Sequence, residues 1–137
     1  MASVFSQIVD GEIPARVVHE DETTFAFLDA NPLAPGHTLV IPKEEYERLN
    51  DVPEDVAADI YATIHRLIPR VEEAVDAPAT TVAFNNGEAA GQEVPHVHCH
   101  IIPRFEGDGG GPIHAIAGER PDLSDEELDE IADRIAD

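Results

Sequence analysis

The sequence predicts an α+β fold: an antiparallel sheet of about five strands, one long helix packed on it and a short helix near the C-terminus. Two observations carry this. Short β-rich segments alternate with turns marked by Pro, Gly, Asn and Asp, the signature of strands. Between the third and fourth of them, Val52, Val56, Ile60, Ile64, Leu67, Val71 and Val75 recur every three or four residues, the stripe of one amphipathic helix.

In chain order, Val17 to Asp29 reads as two short strands broken near Asp21-Glu22, and Thr38 to Ile41 as a third, launched by the Pro35-Gly36 turn. The long helix follows, with Asn50 or Asp51 as its cap and Pro53 near its first turn. Pro69 has no N–H to donate, which predicts a kink or a break inside that helix. Thr80 to Asn85 and His96 to Ile102 complete the sheet. In the tail from Leu123 to Ile135, Ser124 is a candidate N-cap, and Leu128, Ile131 and Ile135 share one face of a short helix.

The segment Pro95-His-Val-His-Cys-His-Ile-Ile-Pro103 carries the chemistry. On a strand, His96, His98 and His100 project from one face at a spacing of roughly 6.5–7 Å, with Val97, Cys99 and Ile101 turned to a core. Imidazole titrates near neutrality, so one ring can be a neutral nucleophile while its neighbour binds an anion or donates a proton, a division that suits phosphoryl or nucleotidyl transfer. Spacing alone equally allows a Zn²⁺ site with two or three nitrogen ligands. Upstream, Asn85-Asn-Gly-Glu-Ala-Ala-Gly91-Gln92-Glu93 forms a small, flexible turn whose amides can approach a phosphate.

Ile13-Pro14-Ala15, Phe27 to Asp29, Ala34 to Lys43, Asn85, Gly91-Gln92 and the His-x-His-x-His run follow one another in an order that resembles the histidine triad (HIT) family of nucleotide hydrolases and transferases. The resemblance spans about Phe5 to Arg104 and divides the chain into a triad domain over 1–104 and a C-terminal loop and helix of the same domain over 105–137. It implies that His98 is the nucleophile attacking the α-phosphorus of a purine nucleotide or nucleotide conjugate, forming a nucleotidyl-histidine that water resolves. It also implies that His96 and His100 line the phosphate site, with His37 beside them. Asp29 then takes the ribose hydroxyls, Asn85 and Gln92 match polar groups around the α-phosphate and scissile bond, and Gly91 and Glu93 fall among the nucleotide-binding residues, with the role of Glu93 open. The preferred substrate is an adenylyl-amine, with a dinucleoside polyphosphate or a purely regulatory nucleotide-binding role as alternatives. A homodimer and a metal-independent, cofactor-free reaction are also implied.

Two departures bear on metal. Many bacterial relatives hold a structural zinc through an N-terminal Cys-x-x-Cys, where this chain has Ser3 and Ser6, and Glu45 stands where those relatives often carry a histidine. A structural metal is therefore not expected. Glu93 occupies a position that is a serine in some members.

Composition narrows the remaining classes. The chain has 137 residues, enough for one domain with a single core. Its 29 acidic residues against 8 basic ones give a formal net charge of −21, and Lys43 is the only lysine. With 42 % apolar residues this is a folded acidic protein rather than a disordered one, and the balance is that of an extreme halophile's cytoplasmic protein. The charge argues against a nucleic-acid duplex as partner, and neither a signal peptide nor a membrane span is expected. One cysteine, Cys99, excludes an internal disulfide and reads as a small core residue. His65 reads as a surface residue, His19 as a partner of Glu20 or Asp21, and His114 lies in a flexible segment within possible reach of the site.

Overall fold

The structure, a computed structural model, describes residues 2–136. Its elements are α1 (Val4–Val9), β1 (Val17–Glu20), β2 (Thr24–Leu28), β3 (Thr38–Pro42), α2 (Glu54–Val75), β4 (Ala79–Phe84), β5 (Cys99–Arg104) and α3 (Asp125–Ile135). The five strands form one antiparallel sheet in the order β1-β2-β3-β5-β4. The α+β architecture matches the expected one. The helix crossing after β3 carries the chain to the far edge, and β5 then inserts between β3 and β4.

Central strands β2 and β3 are buried almost throughout because both faces of the sheet are covered. On one face Ala26, Val40, Cys99 and Ile101 pack against Ile60, Ile64, Leu67 and Val71, the stripe read from the sequence. On the other, Phe25, Phe27, Leu39 and Ile41 are covered by Phe5. Burying each such aliphatic or aromatic side chain stabilises the fold by about 1.5–3 kcal/mol. The β1–β2 turn is locked by Asp21, which accepts from the Thr23 and Thr24 N–H groups and the Thr24 hydroxyl. Thr24 in turn bonds Thr63 of α2, tying the helix to the sheet.

Four details differ from the sequence expectations. Helix α1 was not foreseen. Helix α2 runs without a break through Pro69: the His65 carbonyl that loses its partner and Pro69 itself both lie on the exposed face, where water can replace the missing bond. Neither Asn50 nor Asp51 caps α2; they sit in a 3₁₀ turn over Leu49–Asp51, and Pro53 occupies the cap position without a side-chain bond. Strand β5 begins only at Cys99, so His96 and His98 lie in the segment leading into it rather than in the ladder. Pro95 explains this: the His96 N–H bonds back to the Val94 carbonyl across it, a tight turn that delays pairing.

Helix α3 opens with the expected Ser124 cap, in a capping box with Glu127. Leu128, Ile131 and Ile135 are all exposed, so its apolar face is left uncovered among the described residues. Among the described residues, no helix is long and apolar enough to cross a membrane.

Candidate active site

The alternation read from the sequence holds even before the strand begins. Val97, Cys99 and Ile101 enter the α2-side core, while His96 and His98 turn toward Phe5 on the opposite side. That side opens into a cleft of about 740 Å³, within the range of small-ligand sites. Ile8, Ile13, Pro14, Ala15 and Phe27 supply an apolar wall, Asp29 and Asn31 a polar edge, and His98 and His100 the remaining face, with Asn85, Gly91 and Glu93 at its mouth.

The rings have defined proton positions because each faces an unambiguous partner. His98 Nδ1 lies 2.8 Å from the His96 carbonyl oxygen, which can only accept. In the neutral ring Nδ1 therefore carries the proton and Nε2 keeps a free lone pair. The edge of Phe5 packs on His98 at 4.9 Å between centroids and restrains it further. His37 is buried; its Nδ1 accepts from the Leu33 N–H at 3.1 Å, so its Nε2 carries the proton and donates to His100 Nδ1 at 3.0 Å. His100 then holds its own proton on Nε2. Burial, with the neighbouring His98 and His37 rings adding to it and Asp29 opposing, pulls His100 down to about 4, so it is a neutral donor at pH 7. Burial likewise lowers His37, against the pull of Asp29.

Asp29, His37 and His100 each bring one potential ligand atom to within 4.8 Å of the others. They do not suit a cation. With His37 Nδ1 engaged as an acceptor, its Nε2 carries the ring proton and has no lone pair to give. His37 instead donates to His100, while Asp29 Oδ2 stands 3.7 Å from His37 Nε2, beyond hydrogen-bond distance, and its Oδ1 accepts from the Asn31 N–H.

Residues 10–107 match the HIT domain, more than half of the chain. The chain belongs to the HIT domain family. An uncharacterised HIT-like protein of Methanocaldococcus jannaschii is 48 % identical over 106 residues, covering 77 % of this chain and 81 % of that protein. An adenosine 5'-monophosphoramidase of Saccharomyces cerevisiae is 38 % identical over 109 residues, covering 80 % of this chain and 66 % of the yeast protein. Among solved structures, a HIT family member from Bacillus subtilis superposes with a TM-score of 0.87 at 32 % identity, over 98 % of this chain and 95 % of that one.

Within this HIT domain the expected site residues separate into three groups. His98, His100, Asp29, Asn85, Gly91 and Glu93 line the cleft. His37 stands behind His100 and is hydrogen-bonded to it. His96 and Gln92 depart from expectation. His96 is fully buried and does not line the cleft: its ring is held between the Pro42 carbonyl and Ser3, because the turn at Pro95 sets it deeper than its neighbours. Gln92 gives both amide hydrogens to the Glu47 and Val94 carbonyls and accepts from the Gly87 N–H, so it braces the 87–94 turn and has no hydrogen left for a leaving group.

The other histidines sit apart from the cleft. His19 pairs with Asp21 at 2.8 Å, His65 is exposed on α2, and His114 is exposed in a 3₁₀ turn. Cys99 is buried against α2, which pushes its thiol up to about 12 and leaves it inert. Sequence reasoning missed Phe5 as a contact of His98. The signal was present: Ser3 precedes Phe5, Ile8 and Val9 at helical spacing, an N-cap before a one-sided apolar stripe.

Proposed function

We propose that this HIT protein cleaves nucleoside phosphoramidates of the adenylyl-amine class at the α-phosphorus without a metal, through a nucleotidyl intermediate on His98. The observation that carries the reading is the His98 ring itself, whose Nδ1 is committed to the His96 carbonyl, leaving Nε2 with the lone pair, in a residue that lines the cleft. Nε2 forms a bond to phosphorus as the P–N bond to the amine breaks; the electron pair goes to the leaving nitrogen, which takes up a proton. Water then attacks phosphorus, the P–Nε2 bond breaks, and the nucleoside monophosphate leaves.

The His96 carbonyl supports the positive charge that develops on the ring in the covalent state. His100 Nε2–H is a neutral donor suited to a non-bridging oxygen, held in that tautomer by His37. Asp29 is suited to accept from the ribose hydroxyls, and the Ile13 to Ala15 wall to cover a purine. The adenosine 5'-monophosphoramidase activity named for the yeast relative supports the amine leaving group. The same chemistry on a dinucleoside polyphosphate is the second reading, and we further propose a homodimer, measurable by sedimentation in concentrated KCl.

Steady-state turnover of adenylyl-lysine beside diadenosine tetraphosphate, in molar KCl and after exhaustive chelator dialysis, tests the proposal. Faster cleavage of the lysine conjugate that survives dialysis is expected. Activity restored only by one Zn²⁺ per chain would overturn metal independence.

A further inference from the structure

We propose that Ser3, Ser6 and Glu45 are positioning residues for this site: a closed set of hydrogen bonds that fixes the His96 ring and, through the His96 carbonyl, aims His98. The inference rests on the reading of His98 as nucleophile.

The shortest contacts order the protons of the set, the Ser3 hydroxyl lying 2.9 Å from His96 Nδ1 against 3.5 Å from the Ser6 hydroxyl. His96 Nε2 lies 2.9 Å from the Pro42 carbonyl oxygen and must donate to it, so Nδ1 of the neutral ring must accept. The Ser3 hydroxyl, 2.9 Å away, supplies that bond. Ser3 Oγ in turn accepts from the Ser6 N–H at 3.0 Å, which leaves its own proton for the histidine. The Ser6 hydroxyl lies 3.4 Å from the same His96 Nδ1 and would compete for it. Glu45 removes the competition by accepting the Ser6 hydroxyl at 2.8 Å, and it also accepts the Ser3 N–H at 2.6 Å. The bond from the Ser3 N–H, followed by that from the Ser6 hydroxyl, holds the Glu45 carboxyl below the usual range, keeping it an acceptor.

Capping α1 needs only the Ser6 N–H to Ser3 bond. The links onward to His96 and Glu45 are additional, and they join three separate parts of the chain: the start of α1, the exit of β3 and the entry to β5. The His96 ring is 0 % exposed, so any loss of a partner leaves an unsatisfied buried nitrogen, and the ring and its peptide must shift to recover one. That peptide carries the carbonyl which orients His98. A second route runs through Phe5 in the first turn of α1, whose ring meets both His96 and His98.

Long-range ¹⁵N imidazole spectra of the intact protein, together with kinetics of Ser3→Ala and Ser3→Thr, test the proposal. His96 in the wild type is expected as the Nε2–H tautomer at pH 7. Ser3→Ala is expected to lower kcat about tenfold or more with KM nearly unchanged and to mix the His96 tautomers, because a misaimed nucleophile loses rate before binding. Ser3→Thr, which keeps the hydroxyl and the cap, restores both. Should Ser3→Ala fail to fold, Ser3→Gly, which also removes the hydroxyl facing His96 but is a better N-cap residue than alanine, carries the same comparison. An Nδ1–H tautomer of His96 in the wild type, an unchanged kcat in a folded Ser3→Ala, or a Thr variant as slow as the Ala one overturns the positioning role. Turnover surviving in His98→Ala would instead remove the nucleophile reading, and the tautomer measurement is independent of it.

Discussion

A single carbonyl oxygen gives His98 its direction, and that determines what its removal does. Asp29, Asn85, His100 and the apolar wall remain in His98→Ala, so turnover is expected to vanish while nucleotide affinity changes by less than about tenfold, or about 1.4 kcal/mol. Rapid-quench mass spectrometry of the wild type is expected to find the nucleotidyl adduct on His98; an adduct on another histidine would move the assignment. Asp29 makes a separate prediction. With Oδ1 already engaged by the Asn31 N–H, its carboxylate has fixed remaining acceptors, and a 2'-deoxyribose leaves one of them under-satisfied at a cost of about 1–3 kcal/mol. Ribonucleotides are therefore expected to bind more tightly than 2'-deoxy analogues, with the gap closing in Asp29→Ala; competition titrations on both proteins read it directly. These cleft-facing residues were legible in the sequence because strand alternation assigns faces. It does not assign depth, which is why His96 reads like His98 and yet lies buried behind it. Gln92 differs for a related reason: residue type announces hydrogen-bonding capacity, and only the fold shows that the Glu47 and Val94 carbonyls use it.

The elements that were legible are those whose patterns are long enough to be periodic. Six apolar residues of the stripe over 22 helical positions, with Val52 just before them, identify α2 even though Pro69 interrupts it, and four to six residues flanked by turn formers identify each strand. Helix α1 has six residues, under two turns, so its cap and short apolar stripe are a weak signal; much of its stability comes from the burial of Phe5, which only the folded sheet reveals. Pro69 offers a test of how α2 tolerates the interruption. Restoring the N–H with Pro69→Ala regains the bond to His65 and relieves the ring's clash with that turn, against an unfolded chain that becomes less restricted by about 1 kcal/mol. A net gain of about 1–2 kcal/mol is expected, read as a higher urea midpoint at unchanged slope. A lower midpoint would mean that the local backbone has adapted to the proline and that an alanine there forfeits more in the unfolded state than it recovers in the helix.

For the whole molecule, two titration effects oppose each other, and salt decides between them. His100 falls from 6.5 to about 4 on folding, and His37 and His96 are lowered in the same direction by burial. Between those values the unfolded chain binds more protons, so the stability these rings contribute is complete above about pH 6.5 and is lost as pH falls through about 4. Carboxylates act the other way, because protonating them relieves the repulsion of a chain with net charge −21. At about 1 M salt the Debye length is about 3 Å and the repulsion is already suppressed, so acidification from pH 7 to pH 5 is expected to lower Tm. At about 0.01 M the length grows to about 30 Å, carboxylates across the whole surface repel one another, and mild acid is expected to give partial rescue instead. The same argument fixes the neutral-pH behaviour. A stability of about 5–15 kcal/mol leaves little reserve against so many unscreened pairs, so at pH 7 Tm is expected to climb steadily as KCl rises from about 0.01 M to about 2 M. Circular dichroism across that series decides it. A Tm indifferent to KCl would mean that the acidic surface serves solubility alone, and that the two helices and the sheet hold together against their own charge.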